Sequence, residues 1–158
     1  MPTANARLIE SVMVAIYTLM DVLHLVVAGV WAGWTMFMAA LVVPVARDGR
    51  LGADALDWMT GWFVRVSQAA PVIMLLTGGY MVSQGAITGT PLDSLRGQLV
   101  VTMVVLWIVL SGLSNAAGRR LTDGIEAGGV ESAAHRTTML FYGAGVVALL
   151  LLVVGGWL

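Results

Sequence analysis

The sequence predicts an all-α protein, an integral membrane four-helix bundle, on three observations. Apolar residues make up 59% of the chain and charged residues only 11%, whereas a soluble domain carries about 25% charged residues. So few charges cannot cover a water-facing surface, and lipid must cover it instead. Four apolar stretches each reach the ~20 residues that a helix needs to cross a hydrocarbon core. The 158 residues accommodate four short-looped spans and no separate soluble domain, so the chain reads as one transmembrane domain. A net charge of −1 implies neither a nucleic-acid partner nor an anionic surface as partner. Cysteine is absent, which excludes disulfides, iron–sulfur ligation and thiolate metal sites.

The first apolar run covers residues 11–46, interrupted only by Asp21 and His24. At ~1.5 Å per residue it would exceed ~50 Å as one helix. Either the helix protrudes from the bilayer, or residues 8–20 form a separate opening segment and the span is 21–46 with Asp21 as its N-cap. Pro44 and Arg47-Asp48-Gly49 mark its end. No small-residue cleavage signature follows the polar start, so no signal peptide is read.

The second span is 63–83. Residues 53–62 alternate apolar and acidic side chains and read as an interfacial amphipathic turn, with Trp58 and Trp62 at headgroup level. Pro71 is expected to kink the span, and Gly78-Gly79 to allow close backbone approach. The third span is 97–117, closed by Arg119-Arg120, and the fourth is 137–158. The longest connection is 118–136, rich in glycine and charge.

All eight basic residues are arginines. Arg47, Arg50 and Arg65 cluster after span one, and Arg119, Arg120 and Arg136 after span three; the other side holds Arg7 and Arg96. The positive-inside rule then puts the Arg-rich loops in the cytoplasm and both termini outside a prokaryotic plasma membrane.

Ionisable side chains inside a span are functional candidates by default. Asp21 and His24 are three apart and share a helix face. On a helical wheel Met13, Tyr17, Met20, Ala28, Trp31 and Thr35 join that stripe. Gly29 and Gly33 point the other way, at a spacing that suits a second helix, from another copy of the chain or a membrane partner. His24 has three functional readings. It could ligate a metal, with Met20 supplying a thioether suited to Cu(I) and Asp21 acting as ligand or orienting group. It could be an axial haem ligand, with Trp31 and Tyr17 lining the pocket. It could relay protons with Asp21. The alternative is a helix-to-helix hydrogen bond. The other histidine, His135, precedes span four on the opposite side of the membrane, which argues against a bis-histidine haem. Arg65 reads as a snorkelling side chain. No nucleophile with its base, phosphate loop or carboxylate pair is present, and no catalytic residue is assigned.

The segment Leu23-His24-Leu25, Ala28-Gly29-Val30-Trp31-Ala32-Gly33, then Val43-Pro44-Val45-Ala46-Arg47 resembles the first span of CopD-like membrane proteins. Thr77-Gly78-Gly79 and the Trp107 span also look similar to short, haloarchaeal-type members. The resemblance implies a four-helix core and a role in copper handling, with His24 at the matching position. More distantly, the His…Trp-x-x-Gly opening is similar to that of the membrane protoporphyrinogen oxidases, which implies haem b. This chain lacks the lysine that the later motifs of that group contain. The expectation is a membrane protein that binds or transports copper through His24, Met20 and Asp21. The alternatives are a haem-b redox protein using His24, and a non-catalytic membrane subunit packing through Gly29 and Gly33.

Overall fold

In the computed structural model, residues 4–84 and 94–157 are described. Helix α1 (Ala4–Phe37) passes through a π-helical stretch, Met38–Val42, into the short α2 (Val43–Arg47). Three long helices follow: α3 (Ala53–Ser83), α4 (Leu95–Glu126) and α5 (Val130–Gly155). Four helical runs are long and apolar enough to cross a membrane, the first of them Arg7–Arg47. The chain is therefore an all-α, multi-pass membrane protein.

The helices are longer than the apolar windows that announced them. Hydropathy reports which residues suit lipid, whereas helix ends are set by caps. Residues 53–62, expected as an amphipathic turn before the span, are the opening turns of α3 itself. Most of residues 118–136 belong to α4 and α5, leaving only Ala127, Gly128 and Gly129 between them. Ser94 caps α4, its hydroxyl accepting from the Gly97 amide at 3.1 Å. Gly49, at φ 68°, closes α2. The Arg50 amide donates to the Val45 carbonyl and the Gly49 amide to the Ala46 carbonyl, a Schellman ending that only glycine adopts without strain.

The first run is one continuous helix, so Asp21 is a mid-helix residue and not an N-cap. Its backbone amide is committed within the helix, which removes the need for a cap there. Every described side chain from Arg7 to Leu19 is exposed, so the N-terminal turns of α1 stand free of the bundle. The π-helical stretch ends at Val42, two residues before Pro44. Proline lacks an N–H and its ring crowds the carbonyl four residues back. A wider turn relieves that conflict without ending the helix. Pro71 is carried inside α3, which continues to Ser83.

Each long helix packs against two neighbours, in the ring order α1, α3, α4, α5. At the Arg-rich end the core is built on Phe63 and Phe141, whose rings lie 5.2 Å apart, with Met38, Leu56 and Leu121. Toward the other end Trp31, Met74, Leu110 and Leu151 pack among alanines from α1, α3 and α5. Small residues set the helix separations. A Cβ on Gly118 would meet Val64 at 2.9 Å, and one on Gly124 would collide with Ala133. Gly112 has open space around it. Gly124→Val should therefore cost about 1–3 kcal/mol through overpacking, while Gly112→Ala is neutral or slightly stabilising. Thermal unfolding of the two variants in detergent checks the contrast.

Candidate functional site

His24 lies on α1 where it packs against the C-terminal half of α3. Its Nδ1 is 2.8 Å from the Thr77 hydroxyl. That hydroxyl also lies 2.8 Å from the Ile73 carbonyl and 3.3 Å from the Met74 carbonyl. Carbonyls only accept, so the single Thr77 hydrogen is donated to the α3 backbone. The Thr77 oxygen then accepts from His24, which fixes the proton on Nδ1 and leaves the Nε2 lone pair free. The ring rests on Gly78, where a Cβ would lie 3.3 Å from His24 Cε1. Any larger residue at 78 would press on the imidazole.

The half-buried imidazole borders a cleft of about 450 Å³ at the end of the bundle away from the Arg-rich loops. Its walls are mostly apolar. Tyr17, Asp21 and His24 come from α1; Met74, Gly78 and Met81 from α3; Arg96, Met103 and Trp107 from α4. The helix faces follow from spacing. Met74, Thr77, Gly78 and Met81 stand at i, i+3, i+4 and i+7, one stripe of α3. Arg96, Met103 and Trp107 stand at i, i+7 and i+11 on α4. The Trp107 Nε1 atom is buried without a hydrogen-bond partner among the described residues.

The structure brings together three of the five residues expected at the site: Tyr17, Asp21 and His24. Met20 is partly buried but does not line the cleft. Trp31 is 1% exposed in the core below, with its Nε1 also unpartnered among the described residues. Asp21 is exposed and forms no ion pair among the described residues. His135 is exposed near the start of α5, by the short α4–α5 connection. A Cβ on Gly29 or Gly33 would meet nothing within 4 Å, so none of the described helices packs closely on that face. The methionines of α3 and α4 were missed as site residues; the i, i+3, i+4, i+7 stripe around Thr77 was the available signal.

Among the described residues no three His, Asp or Glu side chains come together as a metal site. The polar and sulfur-bearing groups that line the cleft are one imidazole, the thioethers of Met74, Met81 and Met103, a phenol, a carboxylate and the Arg96 guanidinium. This set suits a soft, monovalent ion or a group needing one axial nitrogen, and does not suit a hard divalent cation.

Compared with known proteins, the chain matches no family model, and no curated protein or solved structure is similar to it at a significant level. The CopD-like reading accordingly rests on the residues quoted for it.

The tautomer is directly measurable. In ¹⁵N spectra, His24 should show a protonated Nδ1 and an unprotonated Nε2. Thr77→Val, which removes the acceptor, should give a mixture of tautomers and destabilise the bundle by about 1 kcal/mol, the net worth of one hydrogen bond.

Proposed function

We propose that the protein binds or passes Cu(I) in this cleft, with His24 Nε2 as the nitrogen donor. Thioethers of Met74, Met81 and Met103 replace Met20 as the sulfur donors, and Asp21 lies at the rim. The observation that carries the reading is the bond from His24 to Thr77. A ligating histidine needs its second nitrogen held by an acceptor, which fixes the tautomer and the ring, and Thr77 is that acceptor. The surrounding methionines match the preference of Cu(I) for thioether and imidazole.

A second reading, haem b held axially by His24, is favoured by the size of the cleft. About 450 Å³ is far more than a single ion requires. Arg96 at its wall could pair with carboxylates of such a group.

Purified protein separates the readings. Under Cu(I), a competition assay with a chromogenic chelator should give one tight site, abolished by His24→Ala. Met74→Leu, which removes a thioether donor, should weaken it by at least about 10-fold, the low end for losing even a group that only supports a ligand, and Met20→Leu should leave it unchanged. Under haem, the preparation is coloured and its Soret band disappears in His24→Ala. Copper and haem contents that do not respond to His24→Ala overturn both and leave a packing subunit.

We infer further that the Arg-rich end faces the cytoplasm of a prokaryotic plasma membrane and the cleft faces outward, on the arginine bias. The cysteine-free sequence suits a labelling test. On intact cells a membrane-impermeant maleimide should label Gln84→Cys and spare Arg50→Cys; the reverse pattern inverts the topology.

A further inference from the structure

Away from the cleft, the outer face of α3 carries Trp58, Trp62 and Arg65 at i, i+4 and i+7, one continuous stripe. Trp58 is 62% and Trp62 is 44% exposed. Their rings meet edge to face, 6.4 Å apart. The Arg65 guanidinium carbon lies 5.2 Å above the Trp62 ring, within cation–π range. The stack holds the planar guanidinium against the helix, and Arg65 is itself exposed.

Arg65 has no anion of its own. The ion pair found among the described residues joins Arg47 to Asp48, and none of the described carboxylates pairs with Arg65. Yet Arg65 stands within the apolar window of the second span, one turn beyond Trp62, where water is scarce and an uncompensated charge is costly. Exposed tryptophans mark the level of the headgroup boundary. The next oxyanion that an outward-facing guanidinium meets at that level is a lipid phosphate.

The neighbouring helix strengthens the local positive potential. Gly118 of α4 packs against Phe63 and Val64, so the exposed Arg119 and Arg120 lie at nearly the same height as Arg65. Acidic residues on these helices, Asp54 and Asp57 on α3 and Asp123 and Glu126 on α4, lie further toward the helix ends.

We infer that Trp62 and Arg65 form a binding site for the phosphodiester of an anionic phospholipid in the leaflet at the Arg-rich end. The guanidinium forks onto two phosphate oxygens, a geometry that lysine cannot reproduce. Trp62 supports the guanidinium from behind, and Trp58 buttresses Trp62.

Native mass spectrometry of the full chain, titrated in detergent with phosphatidylglycerol or phosphatidylcholine, tests this. Wild type should retain phosphatidylglycerol in preference to phosphatidylcholine. Arg65→Gln should weaken phosphatidylglycerol retention about 10-fold, as for loss of a hydrogen bond to a charged group. Arg65→Lys and Trp62→Leu should fall between, and Arg7→Gln at the far end should match wild type. Unchanged melting of Arg65→Gln shows that the loss is local. Equal retention in Arg65→Gln and wild type overturns the site, as does equal retention of the two lipids by wild type. Displacement of phosphatidylglycerol by millimolar inorganic phosphate overturns the assignment to lipid.

Discussion

In hydrocarbon a peptide group without a partner has no water to turn to, and this constraint governs the whole chain. It makes each crossing a helix. It explains why the conflict at Pro44 is absorbed by a π-helical stretch (Met38–Val42) rather than by a break. Several hydroxyls follow the same pattern, although those of Thr60, Ser67 and Ser114 are buried without a partner among the described residues. Thr35, Thr77, Ser111, Thr137 and Thr138 all donate to a carbonyl one turn back. At four of these positions the bond is simply internal economy of the helix. At Thr77 the hydroxyl oxygen also receives an imidazole, and the same constraint becomes a device that sets the proton on His24.

Packing works within that frame. With little hydrophobic gain from pressing one apolar helix against another in lipid, association depends on close contact. Alanines and glycines provide it: Gly118 against Val64, Gly124 against Ala133, Gly145 against Ala39. The cleft occurs where the pattern changes. Around His24, α1 still closes on Gly78 of α3, whereas the surrounding cleft positions carry Met81, Met103 and Trp107 rather than alanine.

The fold class and the four spans were legible in the sequence because hydropathy over ~20 residues is a direct physical readout of the lipid environment. Helix ends were less so. The stretches 53–62 and 118–136 carry charges and glycines that signal departure from lipid, and the helices simply continue through most of them. Asp21 illustrates the same limit: a capping residue type is informative only when the preceding turns are not helical, and apolar residues from Leu8 onward made them helical. At the site, His24 stood out because an imidazole is rare in such surroundings. Tyr17 and Asp21 followed from single-helix geometry. Met74, Met81 and Met103 did not, because the wheel of one helix cannot report what another brings to it. Met20 shares the His24 stripe on α1, yet the cleft opens toward α3 and α4.

The free-standing start of α1 has a mechanical consequence. From Ala4 to Phe37 the backbone hydrogen bonding is uninterrupted, so the exposed turns and the turn bearing His24 form one stiff rod. Tyr17, Asp21 and His24 sit where that rod enters the bundle. A lateral push on Leu8 or Ile9 is delivered there as a torque, over a lever arm of roughly 20 Å at 1.5 Å per residue. The cleft wall is thereby the fulcrum of the molecule's longest helix.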